Sequence, residues 1–352
     1  MTSLAKGSTR SLLIIIVLLL CLVGVVWFSR QHLSRQAPSR TPLYAGLITI
    51  GTETWPGYLP LYVARDQGYF KDAGVNVEIK RYIGLGELSK DYVAGTMQGR
   101  ANLTLDMVNE YLQGLDHKAV LVIDYSNGSD AIVGNESVPT LKEIRGKRVA
   151  FEPNTLEEFF IAWALKQVGF TLADVQAVVA NPEESARQLA AGQLDVAVSH
   201  EPFLSKMLGA GAFHGLYSSA DAPGLITDIL TFRTDFLQAY PETVQAVVRA
   251  YFAALQFCQE HPAQAHAILA KEFGDSPESV TTQLQGVKLL DLVDNQTAFT
   301  FSGGLQSLYG NLRQIGEFVL SHQAKTARPL DTDALIDPRF IRQLADEERT
   351  SR

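Results

Sequence analysis

Short apolar runs and helix-period patterns alternate along this chain from residue 47 onward, and the alternation occurs twice. LITIGTE (47–53) has the apolar and β-branched density of a strand, and LPLYVARDQ (59–67) spaces its apolar residues three and four apart, as a helix does. VNVEIKRY (75–82) alternates apolar and polar and reads as a second strand. A helix over 85–94, a strand over 101–105, a helix over 107–115 and a buried strand over 119–125 follow. The order then restarts: strands over 131–133, 148–152, 175–180, 194–199 and 226–233, with helices over 140–145, 155–168, 183–191 and 203–210. Strands that alternate with helices build an α/β domain with a mostly parallel sheet. From Tyr240 the pattern predicts helices over 241–260, 261–273, 277–288 and 303–321, with a partly ordered tail after Ala324.

Ahead of this body stands LLIIIVLLLCLVGVVWF (12–28), without proline or charge. A membrane-spanning helix takes about 17–25 such residues. Lys6 and Arg10 precede the run, no small-x-small cleavage site follows it, and Leu20 precedes Cys21 where lipidation needs a small residue. Residues 1–28 therefore read as an uncleaved signal anchor, with a cleaved signal or a lipidated Cys21 as alternatives. Arg30, Arg35 and Arg40 on the far side leave the orientation open. Residues 29–43, with Pro38 and Pro42, read as a linker.

The first 42 residues carry five basic and no acidic side chains, leaving 25 basic against 38 acidic in the remainder, a net charge of −13. Such a body does not bind nucleic acid by neutralising phosphates. Cys21 and Cys258 cannot plausibly pair, and no metal-ligand spacing occurs, so neither a disulfide nor a cofactor is expected.

The two α/β stretches share a short internal pattern. AGTMQGRANLTLDMVNEYL (94–112) and AGQLDVAVSHEPFLSKML (191–208) both run from Ala-Gly through a strand to an acid and a helix. The acids are Asp106 and Glu201, each just past the carboxyl end of a strand, the edge where open α/β sheets bind ligands. Both would serve equally as N-cap or first-turn acids that offset a helix dipole.

TWPGYLPLYVARDQGYF, ANLTLDMVNEYL, VLVIDYSNGSDAIVG, IRGKRVAFEPNTLEEFFIAWAL, AAGQLDVAVSHEP and ITDILTFRTDFLQAYPETVQAVVRAYFAAL, in this order, resemble the type II periplasmic binding proteins of ABC importers. The branch resembled is the NMT1/THI5-like one, which serves nitrate, sulfonates, taurine and thiamine pyrimidine precursors. The resemblance implies two α/β lobes joined by two crossover strands near 124–132 and 226–231. It implies one lobe from 44–128 and 229–325, a second from 129–228, and a tail from 326–352. It also implies a location on the periplasmic side of the inner membrane, anchored by the N-terminal helix.

Carried over residue by residue, the resemblance puts Trp55, Pro56, Gly57 and Tyr58 in a turn lining the cleft. Ser126 and Asp130 fall in the loop entering the second lobe, Asn154 and Thr155 before its long helix, and Thr227 and Asp228 on the return crossover. Trp55 and Tyr58 could form a flat wall that stacks a ring or holds an amine by cation–π attraction, or Trp55 could fill the core. Ser126–Asp130 reads equally as a plain Asn-Gly turn, and Thr155 with Glu158 as a capping box. Departures from the family pattern are His200 before Glu201-Pro202 and the acids Glu157 and Glu158 at the helix start. Acids there disfavour an anion, so an amine or ring-bearing cation is the expected ligand.

The function implied is a solute-binding protein that delivers a small ligand to an ABC permease. A membrane-tethered sensor for a signalling partner shares the same fold. An enzyme of the thiamine-pyrimidine type would need a cysteine-rich motif that this chain lacks, and no G-x-S-x-G turn marks a hydrolase.

Overall fold

Two sheets divide the body between them. A computed structural model describes residues 42–82, 85–209, 213–322 and 326–351. The expected anchor lies outside the described residues, as does all but the end of the linker. Among the described residues no helix is long and apolar enough to cross a membrane.

The first sheet holds β1 (Leu47–Thr52), β2 (Asn76–Arg81), β3 (Gly99–Leu103), β4 (His117–Ser126), β10 (Thr227–Arg233) and β11 (Val287–Leu289), in the order β11-β4-β10-β3-β1-β2. β1 is parallel to β2 and β3, and β10 is antiparallel to both β3 and β4. The second sheet holds β5 (Asp130–Asn135), β6 (Arg148–Phe151), β7 (Gln176–Val179), β8 (Val196–His200) and β9 (Phe213–Ser218), in the order β7-β6-β8-β5-β9. The chain leaves the first sheet between β4 and β5 and returns between β9 and β10.

The helices follow the apolar periodicity of their sequences. α1 (Leu59–Asp66) buries Leu59, Leu61, Tyr62 and Val63 against the long α7 (Pro241–Glu260). α2 (Leu85–Val93) and α3 (Thr104–Leu112) flank β3 in the chain. In the second sheet α4 (Leu156–Gln167), α5 (Pro182–Ala190) and α6 (Phe203–Gly209) follow β6, β7 and β8. Helices α8 (Pro262–Phe273), α9 (Pro277–Leu284), α10 (Leu292–Ala298) and α11 (Leu308–His322) complete the side of the first sheet.

Three expectations need correction. The helix expected over 277–288 stops at Leu284, and Val287–Leu289 pairs with the free edge of β4. An open strand edge offers unpaired backbone donors and acceptors, and Gly286 lets the chain turn in hard against Ser129. The tail beyond Ala324, expected to be partly ordered, ends in α12 (Arg339–Ser351). Leu335, Ile336, Phe340 and Ile341 are buried there, Ile336 bridges to Ala119 of β4, and Arg249 holds Glu347 with two hydrogen bonds of 2.8 and 2.6 Å. Finally, the strand expected over 101–105 is Gly99–Leu103 and the helix expected over 107–115 is Thr104–Leu112, which makes Asp106 the first-turn acid that the sequence allowed.

Candidate functional site

The two crossovers bring acids from distant parts of the chain together. β4 and β10 run antiparallel with Asp124 directly opposite Asp228. Opposed residues on neighbouring strands project to one face, and like charges there repel. Both are fully or nearly fully buried, and each is met by an aromatic from the turn after β1. The indole N–H of Trp55 donates to both oxygens of Asp124 at 3.3 and 3.2 Å, and the Tyr58 hydroxyl donates to Asp228 Oδ1 at 2.6 Å.

Pro56–Tyr58 forms a single 3-10 turn, and Gly57 stands at its centre because nothing larger fits. A Cβ there would lie 2.0 Å from Asp124 Oδ2 and 2.6 Å from the Trp55 indole nitrogen. Trp55 is 7% exposed and Tyr58 is fully buried, so the two rings hold acids in place rather than presenting an open aromatic wall.

Burial pushes the Asp124 carboxyl up to about 8, with Asp130 adding to the rise and the Trp55 N–H opposing it. Burial and the facing Asp124 push Asp228 upward as well. Glu53, at the carboxyl end of β1, rises to about 8 through burial and then through Asp106 and Asp228. Asp130 opens β5 on the second sheet opposite His200, and burial lifts it to about 6.

A buried guanidinium answers part of this charge. Arg100 of β3 lies 3.3 Å from Asp106 and bonds Glu110 at close range. Glu110 Oε2 also faces His117 Nδ1 at 3.7 Å, while His117 Nε2 meets the Met107 carbonyl at 3.0 Å. Burial lifts Glu110 to about 7 and lowers His117 to about 3, so the imidazole is neutral at ordinary pH.

On the second lobe, Asn154 takes the left-handed backbone region with φ 63°. Its N–H donates to Glu158 at 2.7 Å, and the Thr155 hydroxyl donates to the Glu152 carbonyl at 2.7 Å and to Glu157. Thr155 accepts no capping bond, so the expected capping box does not form. The carboxylates of Glu157 and Glu158 occupy the start of α4 instead, where the helix dipole favours negative charge. Asn154 reaches the first lobe's side of the cleft, where it lines a cavity of about 290 Å³ with Asp106, Glu110, Asn109 and Ser89. The lobes also touch at Phe159 against Phe318 (5.1 Å between centroids) and at Glu158 with His322 (3.8 Å).

The remaining expected residues are committed elsewhere. Ser126 bonds Ser219 at 2.8 Å, and Thr227 donates to the Gly224 carbonyl at 3.0 Å, both bracing the crossovers. Glu201, before a cis peptide to Pro202, accepts from the Ser205 hydroxyl at 2.6 Å. Trp55, Gly57, Tyr58, Asp130 and Asp228 gather around Asp124, with Pro56 in the same turn. Asp106 and Asn154 line the same cavity. Asp124, Glu53 and Arg100 were missed from the sequence, although a lone acid in the apolar run AVLVIDY was a legible signal for Asp124.

A profile of the family described as NMT1/THI5 like matches residues 55–265, more than half of the chain. The chain belongs to the NMT1/THI5-like family. A curated Escherichia coli protein, provisionally named an aliphatic sulfonates-binding protein, is 22% identical over 143 residues, 41% of this chain and 44% of that protein. The aligned part thus spans less than half of that relative's length. Among solved structures, the periplasmic aliphatic sulphonate binding protein SsuA of Escherichia coli superposes with a TM-score of 0.70 at 15% identity, covering 84% of this chain and 93% of that one. The alkanesulfonate-binding protein SsuA of Xanthomonas axonopodis, bound to MOPS, gives 0.66 at 15% identity over 84% and 99%. The desulfurization enzyme DSZB gives 0.62 at 14% identity over 86% and 99%. At these identities the likeness establishes the fold, the two-lobed α/β fold of the periplasmic binding proteins.

Proposed function

We propose that this chain is an extracytoplasmic solute-binding protein that captures a small cation between its lobes and presents it to an ABC permease. The family, and relatives named for sulfonate binding and periplasmic location, support the solute-binding part of this reading. It performs no chemistry on its ligand; closure of the lobes is its work, with ligand favouring the closed state. The N-terminal apolar run would tether it to the periplasmic face of the inner membrane.

One observation carries the sign of the ligand's charge. Asp124 faces Asp228 on paired strands, Asp130 and Glu53 add their charge around Asp228, and the buried guanidinium that acts on Glu53, Arg100, is already engaged by Asp106 and Glu110. An anion would enter against that field, whereas a cation replaces protons that the cleft otherwise holds. Because Trp55 and Tyr58 present no open ring face, charge is the selecting feature and a ring on the ligand is not required.

The test is a thermal-shift and calorimetric screen of the full chain against amines, pyrimidines, sulfonates and inorganic anions. A ligand at a hundred times its Kd stabilises the folded state by about 2.7 kcal/mol. Stabilisation by amines that is lost in Asp130→Asn supports the reading. Stabilisation by sulfonates or nitrate alone overturns the charge assignment.

A further inference from the structure

The chain joins the lobes at the crossovers between β4 and β5 and between β9 and β10. They meet again at a place that is not covalent. The first turn of α4, on the second-sheet side, carries Glu158 and Phe159, and the end of α11, on the first-sheet side, carries Phe318 and His322. The Phe159 and Phe318 rings form an edge-to-face pair, 5.1 Å apart and inclined at 61°, and Phe159 is buried. Glu158 Oε1 faces His322 Nε2 at 3.8 Å. Residues four apart share one side of a helix, so Phe318 and His322 present a single patch to α4, with the imidazole 4.2 Å from the Phe318 ring.

The same groups reach the cavity that Asp106, Glu110 and Asn154 line. The other carboxylate oxygen of Glu158 accepts the Asn154 N–H at 2.7 Å and so braces that residue in the left-handed backbone region at φ 63°. On the first-sheet side, α11 packs on α3, the helix that supplies Asp106, Asn109, Glu110 and Gln113 to the cavity. The start of α4 and the end of α11 therefore support two walls of the cavity as well as the contact between the lobes. Rotation of one lobe about the crossovers would part the two rings and withdraw Asn154 from α3 in one motion.

We propose that Phe318 and His322 form a latch for the start of α4: Phe159 and Glu158 seat on them in the closed state, and this positions Asn154 against Asp106 and Glu110. The inference rests on the two-lobed clamp reading above, and not on the charge of the ligand. Closure then has a driving term built into the chain, and a ligand supplies only the remainder of the energy that favours the closed state. Phe159 and Phe318 are positioning residues that act through the placement of Asn154.

The experiment measures the distance between spin labels at Val179→Cys and Val293→Cys in the full chain without ligand; the two positions are exposed on the second- and first-sheet sides. Cys21→Ser removes a competing thiol, and Cys258 is buried. Wild type should show mainly one, latched distance. Phe318→Ala should move population to a second distance and lower the closed-to-open ratio about threefold to tenfold. Phe318→Tyr, which keeps the ring, should restore the wild-type ratio. Phe159→Ala with Phe318→Ala should open the chain no further than either change alone, the mark of two rings that act as one contact. His322→Ala, at the partly exposed end of α11, is the second variant where loss of a ring disturbs folding, and it should lower the ratio in the same sense. A wild type found mainly at the longer distance, a ratio that ignores both Phe318→Ala and His322→Ala, or additive opening in the double variant overturns the latch and leaves the clamp standing. One unvarying distance in wild type and every variant overturns both.

Discussion

Raising the pH should loosen the empty protein, and the sign follows from the buried acids. In the unfolded chain, aspartate and glutamate ionise near pH 4. In the folded chain, Asp124 and Glu53 keep their protons up to about 8 and Glu110 up to about 7. Between the two values the folded state binds more protons than the unfolded state, so stability falls as pH rises. The contribution is fully present below the unfolded pKa and is lost once the folded pKa is passed.

His117 acts in the opposite sense below about 6.5, because its neutral buried ring must gain a proton on unfolding, so the clean window opens there. Each retained proton gives a slope of about 1.4 kcal/mol per pH unit. Asp124 alone therefore contributes about 2 kcal/mol between pH 6.5 and 8, and Glu53, partly open to water, adds less. Urea unfolding of the ligand-free chain should show the midpoint drop by roughly 0.5–1 M across that window. Asp124→Asn keeps the side-chain shape and an acceptor for Trp55 while removing the titrating group, so it should flatten the curve by about 1.4 kcal/mol per unit. A stability that is level or rising with pH, or an unchanged slope in Asp124→Asn, refutes the reasoning.

Two further outcomes test the scaffold of the cleft. Gly57→Ala places a methyl group 2.0 Å from Asp124 Oδ2 and should break the Trp55–Asp124 bond. The cost should be about 1–3 kcal/mol in urea unfolding, accompanied by weaker ligand binding; wild-type stability and affinity would contradict the close approach. Arg100→Met leaves Asp106 and Glu110 facing each other without their shared cation, for a loss of about 3–5 kcal/mol. That loss should shrink at low pH, where Glu110 is protonated, and a pH-independent loss would argue for packing rather than charge.

The strand and helix pattern was legible because periodicity is local. LITIGTE, AVLVIDY and LPLYVARDQ carry their own alternation, and the structure keeps all three as strand, strand and helix. Where a neighbour decided the outcome, the pattern misled. Val287–Leu289 continues a helical run in sequence but pairs with β4, because an unfilled strand edge outweighs a few residues of helix preference. The C-terminal segment looks polar and terminal, yet Phe340 and Ile341 are buried against the body.

The candidate site divides in the same way. The turn from Trp55 to Tyr58, the acid Asp130 and the return-strand acid Asp228 stood out as residue types in unusual places, and the excess of acids at the start of α4 pointed to a cation. The sequence could not say that Trp55 and Tyr58 serve the acids instead of a ring, nor that Ser126, Thr227 and Glu201 spend their polar groups on the crossovers. Those facts depend on which strands become neighbours. The amino-acid sequence by itself determined the α/β rhythm, the acidic body and the family. Only the tertiary structure decided that Asp124 would face Asp228 across an antiparallel pair with Trp55 and Tyr58 donating to them, because the energy of a buried charge is set by what packs around it, not by its neighbours along the chain.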